Sequence, residues 1–335
     1  MRKIFKAVSL SSLCGVLGMT ALPAQSLNIL VGNDDSCTTE GLNIMADTLE
    51  AAGHTVTVYS PAGEQSGVSS SISIKVFSEY DISNTGFNGP SGGDNRFCVR
   101  IPADSREEGS EEEFIASATP RDSMLVGLAV MADNPPDLVI SGINDGSNIG
   151  RRALESGTVG AAMAPLNSGI PGIAVSAQST QRPDLGPGVT LQELADLVVS
   201  VIAELEANRA DGEPLLPDRT GLNINTPAGP SRGIVHTTLG VMTDVLIGPT
   251  VEGDRVVNGF NGFTSLADLV GEEAAEELES NPDATVEDFA EAGLDVQDET
   301  SMNAAGFITI TTIDGDLTAT LRKRELLQVK LRNLQ

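Results

Sequence analysis

The apolar run Leu27 to Val31, broken only by Asn28, leads straight into Gly32-Asn33-Asp34-Asp35. A short buried strand ending in turn-forming residues fits that pattern. Leu42, Met45, Ala46 and Leu49 then recur at three- and four-residue spacing and Gly53 follows, which predicts a helix. Thr55 to Tyr59 is β-branched and alternating, so a second strand is predicted, and Ile72 to Phe77 alternates in the same way. Thr119-Pro120-Arg121-Asp122 is a helix start, with a capping hydroxyl and a proline at the first helical position. Asp137 to Ile140 predicts a buried strand that feeds the Gly/Asn/Ser-rich loop 141–150. Ser156 caps a helix predicted to run to Gly169, and a strand over Ile170 to Ser176 follows. Thr190 opens a long amphipathic helix through a capping box, and Gly221 to Thr226 is a further strand.

Strand–helix alternation of this kind predicts a doubly wound, largely parallel sheet. From about residue 228 the pattern changes. Residues 233–240 and 242–258 read as β-hairpin material, 264–293 as one or two exposed acidic helices, and Phe307 to Thr312 as a strand. A short basic helix runs from Arg322 to Arg332, placed for docking on its own body or on a partner subunit. The segment 81–113, rich in Gly, Asn, Ser and Glu, reads as a surface excursion with a hairpin around Cys98 to Ile101.

Residues 1–26 stand apart. Arg2, Lys3 and Lys6 precede an apolar stretch, and Ala24-Gln25-Ser26 is a small-x-small cleavage site, the pattern of a secretory signal peptide. The mature chain is then expected in the periplasm or outside the cell, with no membrane contact. Its formal charge moves from −27 to −30, because the leader carries three basic residues and no acidic ones. Such a field opposes nucleic acid and anionic lipid. An anionic substrate would need a local cation or a helix N-terminus. Cys37 and Cys98 remain after cleavage; in an oxidising compartment they are a candidate disulfide, with two free thiols as the alternative. Two cysteines and two histidines make a structural zinc site a poor reading. His54 is expected at a surface or turn, and His236 lies in the variable part.

Three strand-end loops carry the candidate chemistry: Asn33-Asp34-Asp35, Gln65-Ser66-Gly67 and Ser141-Gly142-Ile143-Asn144. In a doubly wound sheet such loops gather at one edge. Two carboxylates, a hydroxyl and an amide carbonyl form a hard oxygen site for magnesium, manganese or calcium. The helix start at Ser156-Gly157-Thr158 would bind phosphate beside it. Metal-assisted phosphate chemistry is the expectation.

The same residues carry a family resemblance. Asn33-Asp34-Asp35, Gln65-Ser66-Gly67-x-Ser69, Thr119-Pro120-x-Asp122, the run Ser141 to Gly150 and Ser156-Gly157-Thr158-Val159-Gly160-Ala161-Ala162 resemble the SurE family. That family comprises metal-dependent 5'/3'-nucleotidases and acid phosphatases. The likeness covers residues 27–227 well and continues loosely to Gly306-Phe307-Ile308-Thr309-Ile310-Thr311. It implies a Rossmann-like, three-layer α/β/α core at 27–227. Residues 228–335 then form a C-terminal hairpin and helical extension, which completes the domain or exchanges between protomers of a homodimer or homotetramer. Carried over, Asp34, Asp35, Ser66 and Asn144 are metal ligands. Asn144, Gly146, Ser156, Gly157 and Thr158 meet the substrate phosphate, and Asn33 orients the carboxylates or the phosphate.

Departures fall at Ser36, where the family has glycine, at Thr39-Glu40, at Ala164-Pro165, and at Asp298-Glu299, where it has Thr-Asp. No departure removes a ligand; substrate range is what they bear on. Two other classes share part of the pattern: a secreted α/β ligand-binding protein, and an inactive SurE-like scaffold. A dinucleotide fold would need Gly-x-Gly-x-x-Gly after the first strand, and a haloacid-dehalogenase-type phosphatase would need Asp-x-Asp there. Neither is present.

Overall fold

The computed structural model describes residues 26–73, 79–84, 95–101, 116–178, 187–210, 212–240, 242–243, 245–252, 255–316, 318 and 320–331. All but the last residue of the expected signal peptide, 1–26, and most of the strand expected at Ile72 to Phe77 lie outside them, as do parts of the 81–113 excursion. In chain order the first half gives β1 (Asn28–Gly32), α1 (Glu40–Ala51), β2 (Thr55–Pro61), β3 (Asp81–Ser83), β4 (Arg96–Ile101), β5 (Ala116–Ser117), α2 (Pro120–Val130) and β6 (Leu138–Asp145). Next come α3 (Gly157–Ala162), β7 (Gly172–Ala177), α4 (Leu191–Asn208), β8 (Thr220–Asn225), β9 (Ile234–Thr237), β10 (Val245–Glu252) and β11 (Arg255–Phe263). The chain closes with α5 (Leu266–Val270), α6 (Glu272–Ser280), α7 (Val286–Glu291), α8 (Glu299–Ala304), β12 (Ile308–Asp314) and α9 (Leu321–Lys330).

The main sheet has the order β3-β4-β2-β1-β6-β7-β8-β12-β9, with β5 on β4. The block from β4 to β8 is parallel. From β1 the chain moves to β2 on one side, then returns to place β6 on the other, with Gly32 in register with Ser141. That reversal is a topological switch point, the position where open α/β sheets leave a crevice beyond their carboxyl ends.

Alternate residues of β1 serve the two layers, as a strand buried on both faces requires. Ile29 and Val31 join Leu42, Met45 and Leu49 of α1 and Leu194, Val198 and Ile202 of α4 in one core. Leu30 joins Tyr59, Val99, Met124 and Ala161 in the other. All three β1 side chains are fully buried, and each such burial contributes roughly 1.5–3 kcal/mol. Thr119 caps α2 by accepting the Asp122 N–H at 3.0 Å, and Thr190 forms the expected capping box on α4.

Several elements differ from the sequence expectation. The α3 helix stops at Ala162 rather than Gly169; Pro165 lacks an N–H and its ring crowds the carbonyl four residues back. Residues 233–240 do not join the hairpin. β9 instead lies parallel to β12 at the edge of the main sheet, and the hairpin is β10–β11 alone. The acidic segment forms three short helices, α5 to α7, around a small core of their own that includes Leu266, Leu278 and Phe289. The α9 helix leaves every residue exposed, so it does not dock on its own body. His54, expected at the surface, is buried and accepts the Leu27 N–H on Nδ1 at 3.3 Å. Cys37 and Cys98 form a disulfide with their Cα atoms 5.4 Å apart, tying the loop after β1 to β4. No helix among the described residues is long and apolar enough to cross a membrane.

Candidate active site at the switch point

The site begins where β1 ends. Asn33 is fully buried, and its side chain is spent on orientation. Its Oδ1 accepts the Asp34 N–H at 2.8 Å, and its Nδ2 donates to Asp35 Oδ2 at 3.3 Å and to the Ile143 carbonyl at 3.0 Å. Of the two roles open to it, holding the carboxylates is the one its bonds serve. Asp35 Oδ2 also accepts the Asp145 N–H at 2.8 Å. These bonds clamp the β1 loop to the end of β6 on both sides of Asn144. Asn144 is itself buried and gives its Nδ2 to the Gly146 carbonyl at 2.8 Å. That leaves its Oδ1 as the acceptor end, the atom a hard cation would take.

Asp34 is 2% exposed. Its Oδ1 accepts the Thr158 hydroxyl at 2.6 Å, and the Thr158 N–H supports it as well. Gly157 permits this approach: a Cβ there would fall 2.8 Å from Asp34 Oδ2. Ser156 caps α3, its Oγ accepting the Val159 N–H at 3.1 Å. Thr158, expected at the phosphate, thus turns its donors to Asp34. Asn148 Nδ2 donates to Thr158 Oγ1 at 3.1 Å and to Ser176 Oγ at 3.0 Å. The third loop arrives through Gln65, whose N–H donates to the Asp34 carbonyl at 2.9 Å. Ser66 stands exposed next to it, with its N–H on Glu64 Oε1 at 2.6 Å.

Electrostatically the site is unbalanced. Asp34 is raised from 3.8 to about 6 and Asp35 to about 7, by burial first, with Glu64 adding to both and Asp34 to Asp35. Asp145 is raised by burial and by the same glutamate. Carboxyls buried against one another favour their protonated forms unless a cation offsets the charge. Among the described residues no three His, Cys, Asp or Glu side chains group as a metal cluster, so a cation here would rest on two carboxylates and neutral oxygens. That donor set suits a hard divalent ion, and the raised carboxyls beside the Asn144 side chain fit one. Sequence reasoning missed Glu64, which lies just before Gln65-Ser66-Gly67. It also left unexplained Asn223 and Asn225, whose i, i+2 spacing on an apolar strand marks two polar groups turned to one buried face.

The geometry defines a class: an α/β protein with two buried carboxylates and neutral oxygen donors gathered in its switch-point crevice. Comparison with known proteins gives the family. The family model of the survival protein SurE matches residues 29–245, and the chain belongs to that family. It is 34% identical over 218 residues to "5'-nucleotidase SurE" of Thermosynechococcus vestitus, covering 64% of this chain and 70% of the relative. It is 35% identical over 209 residues to the protein of that name from Gloeobacter violaceus, covering 62% and 67%. The crystal structure of the SurE protein from Aquifex aeolicus shares the fold at a TM-score of 0.59 and 22% identity, covering 90% of this chain and 99% of that one.

Proposed function

We propose that this chain is a divalent-metal-dependent phosphomonoesterase of the 5'-nucleotidase type, which hydrolyses nucleoside monophosphates or related phosphate esters. The observation that carries the reading is the buried Asp34–Asp35 pair, raised to about 6 and 7, at a switch point beside Asn144. Family membership, and relatives that bear the name 5'-nucleotidase, support it.

Asp34, Asp35 and Asn144 would hold the cation, with Ser66 as a fourth donor. When bound, it supplies Lewis-acid stabilisation of the phosphoryl oxygens; magnesium, manganese and calcium all suit the donor set. The chain's own groups do the rest. Asn33 fixes both carboxylates, and Thr158 keeps Asp34 ionised and aimed. Ser156, Gly157 and Gly146 line the place for the phosphate beside them. Water displaces the alcohol, giving phosphate and a nucleoside.

The leader and the disulfide support a periplasmic or secreted location, since disulfides persist in oxidising compartments. The exposed α9 and the β10–β11 hairpin support a homodimer or homotetramer. The test is phosphate release from a nucleotide panel by the mature protein, with EDTA and then with each metal restored. Metal-restored activity that Asp34→Asn and Asp35→Asn both abolish is expected. Full activity in either variant would overturn the assignment.

A further inference from the structure

Glu299, the first residue of α8, is a carboxylate wholly buried in the fold and outside the proposed metal site. Its partners are all donors. Oε2 accepts the Gly150 N–H at 3.1 Å; Oε1 accepts the Thr311 hydroxyl at 2.9 Å and the Asn223 Nδ2 at 3.1 Å, with Asn225 Nδ2 at 3.4 Å. The two asparagines continue the chain of bonds. Asn223 Nδ2 also donates to the Asn148 carbonyl at 2.8 Å, and Asn225 Oδ1 accepts the Asn148 N–H at 2.7 Å. Asn148 in turn holds Thr158 at 3.1 Å, and Thr158 holds Asp34 at 2.6 Å.

We infer that Glu299 is a positioning residue for the reaction, acting on Asp34 through Asn223, Asn225, Asn148 and Thr158. The inference rests on Asp34 being a metal ligand, as proposed above. Both ends of the turn 148–150 are fixed by this one carboxylate and its two amides: Gly150 directly, Asn148 through β8. Burying an acid this deeply opposes its charge, while the donors from Gly150, Thr311 and Asn223 at its two oxygens hold the ionised form, and a plain apolar residue would fill the volume without that cost. What an apolar side chain cannot do is accept four donors at once. Outer-shell partners of this kind change metal affinity by about 10- to 100-fold when removed.

The experiment measures Mn²⁺ affinity by calorimetry and kcat and KM on p-nitrophenyl phosphate for the wild-type chain, Glu299→Gln, Thr158→Val and the double variant. Glu299→Gln keeps the volume and turns one acceptor into a donor facing donors. Its Mn²⁺ Kd is expected to rise about tenfold, with kcat lowered more than KM is changed. The double variant is expected to bind no more weakly than Thr158→Val alone, because the two act along one path. Fully additive losses, or unchanged Mn²⁺ affinity in Glu299→Gln, would overturn the inference while leaving the metal site standing. Absence of Mn²⁺ binding by the wild-type chain would overturn both. Where Glu299→Gln lacks a cooperative unfolding transition, Thr311→Val replaces it, since it removes one donor to Glu299 at constant volume. A Kd less than threefold above wild type in that variant counts against the inference, and a threefold or greater loss supports it.

Discussion

Thr158→Val isolates one atom of the site. Valine matches threonine in shape and removes a hydroxyl that is fully buried and donates to Asp34 at 2.6 Å. A hydrogen bond to a buried charge is worth about 1.5–3 kcal/mol. Since 1.36 kcal/mol is a tenfold change, the proton then competes with a cation for Asp34 some ten- to a hundredfold better. Asp34 sits at about 6 and is mostly ionised at pH 7 in the wild type, so at pH 7 only part of that penalty is felt, roughly two- to fifteenfold. The expected loss of Mn²⁺ affinity at pH 7 is about tenfold. At pH 9 Asp34 is ionised in both proteins and the deficit narrows. The fold stays intact, because Asn148 keeps Ser176 Oγ as its second acceptor at 3.0 Å. Titration calorimetry at pH 7 and pH 9, with a thermal melt of the metal-free protein, reads all three quantities. Equal Mn²⁺ affinity in variant and wild type at pH 7 would refute the role given to Thr158. A deficit of the same size at both pH values would refute proton competition as its cause.

Asp34 and Asp35 have folded-state pKa values of about 6 and about 7, above the ordinary 3.8. The metal-free fold is therefore stabilised most below about pH 4 and loses that contribution as pH rises through 6 to 7. A cation takes the ionised form, so the gain in melting temperature on adding Mn²⁺ is expected to be larger at pH 8 than at pH 5; equal gains contradict the carboxylate assignment. Ser36 has a φ of +133°, where a side chain costs about 1–3 kcal/mol. Ser36→Gly should therefore unfold later in urea than Ser36→Ala by about 1–2 kcal/mol, reversing the usual order; a more stable alanine variant sinks the strain argument. The Cys37–Cys98 bridge closes a loop with a sequence separation of 61. In the chain-entropy model that is worth about 4 kcal/mol, so Cys37→Ser and dithiothreitol-treated wild type should share a lowered urea midpoint, and an unmoved midpoint in either counts against it.

Much of this was legible from local chemistry. The apolar run before Asn33, the caps at Thr119, Ser156 and Thr190 and the helical spacing at Leu42 to Leu49 each act within a few residues, so the pattern reports them directly. Elements set by distant partners were not legible. β9 reads as hairpin material because its short alternating stretch suits any sheet edge; only β12, some seventy residues on, fixes its place. His54 reads as a turn residue because Gly53 precedes it, and nothing local announces the Leu27 N–H that it receives. The helix after Ser156 was read too long because the Ala161-Ala162-Met163 run outweighed Pro165. At the site, Asp34, Asp35 and Asn144 were visible at strand ends. The bonds that give Asn33 and Thr158 their roles connect residues up to 124 positions apart, and spacing does not encode them.

The departures from the family pattern gain meaning once the loop after β1 is seen as a strained piece held from several sides. Ser36 keeps a left-handed backbone where the family has glycine, and its neighbours carry the restraint. The Ser36 Oγ bonds Thr38 N at 3.2 Å, the Thr39 hydroxyl donates to the Ser36 carbonyl at 3.2 Å, and Cys37 donates its N–H to the Pro61 carbonyl at 2.7 Å. The disulfide then fixes Cys37 to β4 through a bond that thermal motion does not break. A strain of about 1–3 kcal/mol lies below the roughly 4 kcal/mol of the bridge. The loop can therefore hold the two carboxyl groups in place before any cation arrives. Such preorganisation costs the most in the metal-free protein above about pH 7, where both groups are ionised and no cation offsets them. The strain at Ser36 and the raised Asp34 and Asp35 should accordingly be relieved by different perturbations: glycine for the first, Mn²⁺ for the second. Their stabilisations should add in the Mn²⁺-bound Ser36→Gly protein, and a combined gain well below the sum would mean that the cation reshapes the loop on binding.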